Sequence, residues 1–266
     1  MRRRIDAKPY ETLDGQKPSY CFDFYERLFD PFSDRDIRLL ELGVYKGGSL
    51  LVWRDYFEKG TIAGLDIDPV QIKDDSGRIR VYQGRQEDTR MLDRIAGEQA
   101  PEGFDIIIDD CSHVGRLTSV SFWHLFARHL KPGGLYIIED VGTSYLDHWP
   151  DGCHYEPISL PTAYSPLAAA QGVQRQARIS LVSRIARQAP QLTGFLSRSK
   201  RIKAIYRATD FSKYGKRVKS HTYGMVGFAK QLVDLCLLGP EIKGNCISEM
   251  HFFRNMLVVV RSADDG

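Results

Sequence analysis

Between Ile37 and Asp140 the chain alternates short apolar runs with amphipathic stretches. The runs "IRLLELG" (37–43), "TIAGLDID" (61–68), "RIRVYQG" (78–84), "FDIIIDD" (104–110) and "GLYIIED" (134–140) have strand length. Between them, 47–57, 89–98 and 118–130 carry helical spacing, and "KPGG" closes the last of these. Upstream, Phe22, Tyr25 and Phe29 share one helical face, and Pro31 stops that segment. Strands alternating with helices predict βαβ units on a parallel sheet. Burial on both faces explains why the runs are unbroken rather than alternating. The pattern lapses over 146–222, resumes as a helix over 224–237, and ends in "ISEMHFFR" and "NMLVVVR". The Arg254–Asn255 junction between these last runs predicts an antiparallel hairpin closing the sheet.

Length and composition change this picture little. With 266 residues, 42% hydrophobic and 27% charged, the chain suits one large domain, or one domain carrying an insertion. No apolar run reaches membrane-spanning length, and "MRRRIDAKPYE" has no apolar stretch behind its arginines, so it does not read as a secretory signal. Five scattered cysteines without metal-type spacing predict a reduced, cytoplasmic chain and argue against zinc. Charge matters more. Residues 171–220 hold thirteen Lys or Arg and one acid, Asp210, a local +12 that leaves −9 for the rest against an overall +3. That asymmetry marks the segment as a separate unit.

The turn after the first strand, "LLELGVYKGGSL", contains Glu41, Gly43, Gly47 and Gly48, with Ser49 expected to cap the following helix. Glycines let backbone approach a ligand, and a helix N-terminus offers free N–H donors. Asp66 ends the next strand about twenty residues on, where an acid can accept both hydroxyls of a ribose. The pair predicts an adenosine-type site without choosing between a nicotinamide dinucleotide and S-adenosylmethionine. Glu41 decides the choice: an acid sits badly beside a pyrophosphate but suits a ligand bearing an ammonium and a sulfonium.

Two strands end in paired acids, Asp109–Asp110 and Glu139–Asp140. Adjacent like charges at the end of an apolar run need neutralising, and a cation is the obvious agent. The alternative is helix capping by Asp109 or Asp110.

The stretches "ELGVYKGGSLLVWRDYF", "GLDIDP", "IIIDDCSHV" and "LKPGGLYIIEDVGTSY", with the closing hairpin, resemble class I S-adenosylmethionine-dependent methyltransferases. More narrowly they resemble the Mg-dependent macrolide sugar O-methyltransferases and the related cephalosporin hydroxylase-like group, over 18–146 and 221–261. The resemblance implies a Rossmann-like, doubly wound α/β sheet of seven strands with the last antiparallel. It implies S-adenosylmethionine as cofactor, held by Glu41, Gly43, Gly47, Ser49, Asp66, Gln86, Asp88 and Asp109. For Asp88 the bland reading is a helix cap. It further implies Mg²⁺ on Asp110, Glu139 and Asp140, and His113 as catalytic base. All-oxygen ligation with open positions suits that ion. The chain departs from the family in carrying Cys111 where relatives usually have glycine.

The expected organisation is an N-terminal arm and helix (1–36), a methyltransferase core (37–145 and 223–266) and a basic helical insertion (146–222). In the insertion, Ile179, Val182, Ile185 and Ala186 share a helical face, with Arg175, Arg178, Arg184 and Arg187 largely off it. Such a helix can lie on an anionic membrane, at its inner face, cover the active site, or meet another copy in a homo-oligomer. No aromatic-rich basic platform suggests nucleic acid. The expected activity is methyl transfer to a sugar hydroxyl of a glycan, glycolipid or glycosylated metabolite. Its rivals are a catechol-type O-methyltransferase and a non-catalytic cofactor-binding scaffold.

Overall fold

The computed structural model describes residues 3–10, 19–146, 148–152, 155–156, 218–219, 223–239 and 245–263. The described chain divides into two compact units, 1–141 with 229–266, and 142–228. The first unit is a seven-stranded sheet in the order β3-β2-β1-β4-β5-β9-β8. Its strands are β1 (Arg38–Leu42), β2 (Thr61–Asp66), β3 (Ile79–Gln83), β4 (Phe104–Asp109), β5 (Leu130–Glu139), β8 (Ile247–Phe253) and β9 (Met256–Arg261). Strands β1 to β5 pair in parallel, while β9 runs antiparallel to both β5 and β8. The expected fold class is therefore the observed one.

Chain order reverses direction across the sheet between β1 and β4, where open α/β sheets bind ligands beyond the strand ends. Every residue of β4 is buried, as its run of Ile106, Ile107 and Ile108 demands. Helices α1 (Ser19–Phe29), α2 (Gly48–Tyr56), α3 (Thr89–Gln99) and α4 (Gly115–Arg128) belong to this unit. Helix α1 is built into the core rather than forming a separate arm. Its Tyr25 and Phe29 are fully buried, with ring centroids 4.8 and 5.4 Å from Trp53 of α2. Burying one large aromatic contributes roughly 2–3 kcal/mol, so α1 is a substantial part of what holds this face.

Strand β5 starts four residues earlier than expected, because "LKPGG" continues the strand past a register shift between Phe104 and Ile106 of β4. The second unit contains β6 (Tyr155–Glu156), parallel to β7 (Val218–Lys219). Helix α5 (Gly224–Leu238) starts in that unit and ends in the first. The basic amphipathic segment with Ile179 and Arg184 lies outside the described residues. No described helix is long and apolar enough to cross a membrane.

Candidate active site

The turn after β1 is shaped by what surrounds it. Gly43 has φ +92, and a Cβ there would stand 2.7 Å from the Asp110 carbonyl carbon and 2.8 Å from the Cys111 Cα. Only glycine allows the two loops to touch, and the Asp110 N–H closes the contact by donating to the Leu42 carbonyl at 2.9 Å. Gly47, at φ +86, ends the turn and occupies the N-cap of α2. Asp66 ties the turn down: its Oδ2 accepts the N–H groups of Val44 and Tyr45 at 2.9 and 2.8 Å, and its Oδ1 that of Asp68 at 2.9 Å.

Beyond β4 and β5 the acids converge. One ligating atom from each of Asp110, His113 and Asp140 lies within 4.8 Å of the other two. His113 Nε2 is 3.8 Å from Asp110 Oδ1 and 3.8 Å from Asp140 Oδ2. Those separations are too long for hydrogen bonds but fit groups arranged around a common point. Ligands of an octahedral Mg²⁺ stand about 3 Å apart when adjacent and about 4 Å when opposed, so carboxylate oxygens within 4.8 Å of one another are near the spacing that ion takes. Two carboxylates under 5 Å apart repel by at least about 3 kcal/mol at an effective dielectric near 20. A divalent cation between them would reverse that sign.

Backbone strain marks the same place. His113 and Asp140 have φ of 51 and 54, and Asn255, at the hairpin tip, has φ 66. Left-handed backbone costs roughly 1–2 kcal/mol per residue, less for Asn and Asp, and such strain clusters where side chains must be aimed. The Asn255 amide donates to Asp140 Oδ1, and its carbonyl accepts the Val141 N–H at 3.2 Å. The β8–β9 hairpin thereby fixes Asp140. The left-handed residue of the "DDCSH" loop is His113, not Cys111, so a side chain at 111 is no obstacle to its backbone.

Several expected site residues are buried and hydrogen-bonded within the first unit. Glu139, at the end of β5, is buried and accepts the Tyr25 hydroxyl. Burial and the neighbouring Glu139 charge push the Tyr25 phenol well above its ordinary range, so it remains a donor to that carboxylate.

Asp109 is likewise buried; its Oδ2 accepts from Ser121 at 3.0 Å and from Tyr136 at 3.2 Å. Burial pushes its carboxyl up to about 6, against the lowering pull of Ser121, His113 and Tyr136. Gln86 donates to Asp109 and Ser121 and accepts the Ser112 N–H at 3.1 Å, which tethers the His113 loop. Glu41 is fully buried and takes the Ser49 hydroxyl at 2.9 Å and the Trp53 indole at 3.1 Å. Ser49 is therefore not a cap, since Gly47 already holds that position. Asp88 does cap α3, accepting from Arg90 and Met91 N–H groups. Neither Asp109 nor Asp110 caps α4, whose N-cap is Val114 without a side-chain bond.

Tyr25 and Asn255 are the residues that sequence reasoning missed. Both come from distant parts of the chain, and the only local signal was the predicted Arg254–Asn255 turn. His124 and His129, which showed no grouping in sequence, meet at Asp93 on the outer helices.

No family model matches the chain. Over 134 residues, 47% of its length, it is 46% identical to mycinamicin VI 2''-O-methyltransferase of Micromonospora griseorubida. Over 133 residues it is 39% identical to demethylmacrocin O-methyltransferase of Streptomyces fradiae. Over 128 residues it is 42% identical to 8-demethyl-8-(2-methoxy-alpha-L-rhamnosyl)-tetracenomycin-C 3'-O-methyltransferase of Streptomyces olivaceus. Each match covers 32% of the relative, so the chain spans about a third of the length of these curated relatives.

Among solved structures, the MycE methyltransferase of mycinamycin biosynthesis, in complex with Mg and SAH, matches with a TM-score of 0.63 and 26% identity. That match covers 100% of this chain and 56% of MycE. MycE with Mg, SAH and mycinamycin VI gives 0.61 and 28%, over 57% of its length. The chain is related to these sugar O-methyltransferases and shares their class I methyltransferase fold.

Proposed function

We propose that this chain carries an S-adenosylmethionine- and Mg²⁺-dependent O-methyltransferase centre acting on a sugar hydroxyl of a glycosylated polyketide. The observation that carries the reading is the convergence of Asp110, His113 and Asp140 beyond β4 and β5, in a chain related to MycE, which was crystallised with Mg and SAH. Two carboxylates with an adjoining imidazole suit a hard cation and a proton acceptor side by side. When bound, Mg²⁺ would orient an acceptor hydroxyl and lower its pKa.

The chain's own groups supply the rest. Asp110, Glu139 and Asp140 would hold the cation, with Asn255 steadying Asp140 and the Tyr25 hydroxyl steadying Glu139. His113 Nε2 takes the hydroxyl proton, and the methyl passes from sulfur to oxygen, leaving S-adenosylhomocysteine. Asp66 and the glycine turn hold the cofactor's ribose end. Glu41 and Ser49 shape that turn from inside, while Gln86 and Asp109 hold the His113 loop.

The relatives' acceptors favour a sugar over a catechol. Two of their names put a sugar on different partners, rhamnosyl on tetracenomycin-C and olivosyl on oleandolide, so the glycosyl group is the common element. A non-catalytic scaffold would need no His113 between two acids. The basic segment 171–220 stands as a candidate contact with an anionic surface or a second copy on charge alone. A cytoplasmic enzyme, peripheral at most, fits this reading.

The test is labelled methyl transfer to glycosylated macrolides and to their free aglycones. Transfer only to the glycosides supports the proposal; transfer to aglycones or catechols alone overturns it.

A further inference from the structure

Outside the candidate active site, one cluster has the chemistry of a different metal. Asp93 stands on α3, His124 on α4, and His129 at the C-cap of α4. The Nε2 atoms of both histidines lie 2.7 Å from the same Asp93 Oδ1, and the three donor atoms are within 4.8 Å of one another. The ring centroids are 5.5 Å apart with planes inclined at 52°. The imidazoles therefore do not stack but approach the carboxylate from different directions. Five-residue spacing would put the two rings on different faces of a continuous helix. His129 escapes that constraint because α4 ends there, at φ −126 and ψ −1.

We propose that Asp93, His124 and His129 form a second metal site, for a borderline transition ion such as Zn²⁺, that clamps α3 to α4. Two imidazole nitrogens and one carboxylate oxygen are a donor set for Zn²⁺ rather than Mg²⁺, which prefers oxygen alone. Tetrahedral zinc with bonds near 2.0–2.1 Å needs its ligands about 3.3 Å apart, roughly 0.6 Å wider than the present N–O separations. The side chain that must move is the one that can. Asp93 is 49% exposed, while His124 and His129 are 11% and 21% exposed and held by their surroundings. The open side of Asp93 leaves a fourth position to water.

This site is separate from the centre proposed for methyl transfer. Helix α4 begins at Gly115, next to the His113 loop, and its fourteen residues extend about 20 Å to the His129 end. The ion would brace two helices and take no part in the reaction.

The test titrates metal-stripped protein with Zn²⁺ while saturating Mg²⁺ occupies the oxygen-rich centre, followed by calorimetry and thermal denaturation. The expected result is one zinc per chain and a melting point raised by several degrees. Asp93→Asn, His124→Gln and His129→Gln should each weaken zinc on the order of tenfold or more, while Asp110→Asn leaves it intact. Co²⁺ should give the visible bands of a tetrahedral site, lost in His124→Gln. Circular dichroism of each variant separates lost ligands from lost fold, and Asp93→Asn, at an exposed side chain, keeps the test open if a histidine variant unfolds. No zinc uptake under Mg²⁺, uptake indifferent to all three substitutions, or uptake lost with Asp110→Asn overturns the site and leaves only a hydrogen-bonded staple.

Discussion

Gly43 leaves the space that the Asp110 carbonyl occupies: a Cβ at position 43 would stand 2.7 Å from that carbonyl carbon, so the cofactor turn and the acid loop are positioned against each other. A methyl group at position 43 would have to displace backbone, in a φ region that side chains avoid. Gly43→Ala is therefore expected to lower stability by about 1–3 kcal/mol, read by chemical denaturation. It should also weaken Mg²⁺ and S-adenosylmethionine together, since one contact sets both loops. Loss of one ligand alone would show that the loops are independent.

Asp66 accepts three backbone N–H groups from the turn and the residues after β2. Asp66→Ala should weaken S-adenosylmethionine by about 1–3 kcal/mol in calorimetry, from the lost ribose acceptor and a loosened turn. Unchanged affinity, or tight NAD binding, would remove the ribose assignment.

Tyr25 supports Glu139 from a helix more than a hundred residues away in sequence. Tyr25→Phe keeps the ring and deletes the donor. The Mg²⁺ concentration giving half-maximal activity should rise about 10–100-fold, the usual effect of removing a group that orients metal-site carboxylates. An unchanged metal requirement would make the contact structural only.

These cases show what sequence could and could not disclose. The sheet was legible because buried parallel strands must be unbroken apolar runs of fixed length, and β1, β2 and β4 are such runs. The acids past β4 and β5 were legible because nothing in packing needs them there. The direction of a side chain was not. Glu41 and Ser49 lie in the cofactor turn, yet they face inward to each other and to Trp53. Asp109 and Asp110 are adjacent, but one serves the Ser121–Tyr136 interior and the other the acid loop. Tyr25 and Asn255 reach the acids only through tertiary packing, which no short window records. His124 and His129 miss the four-residue helical period and meet at Asp93 only because α4 ends between them.

The acid limb of stability is expected to depend on Asp74. Burial raises its carboxyl, but Ser76, the Arg54 guanidinium at 3.0 Å and the N–H groups of Ser76 and Ile79 outweigh that and hold it at about 2. A carboxyl lowered in the folded state stabilises it above the unfolded value of 3.8, and the gain is lost as pH falls toward 2. Asp74→Asn should therefore cost on the order of 2 kcal/mol above pH ~5, shrinking toward zero near pH ~2. A difference independent of pH would contradict this linkage.

The central claim is that Asp110 and Asp140 hold a cation beside His113 for methyl transfer to a sugar. The most direct measurement is the rate of labelled methyl transfer to a glycosylated macrolide, in EDTA and after Mg²⁺ is restored. The rate should vanish in EDTA and return with Mg²⁺. Asp110→Asn should imitate chelation. His113→Ala should bind metal and cofactor but turn over about 10²–10⁴-fold more slowly, with partial recovery at higher pH. Full transfer in EDTA, or an unimpaired His113→Ala protein, would contradict the account.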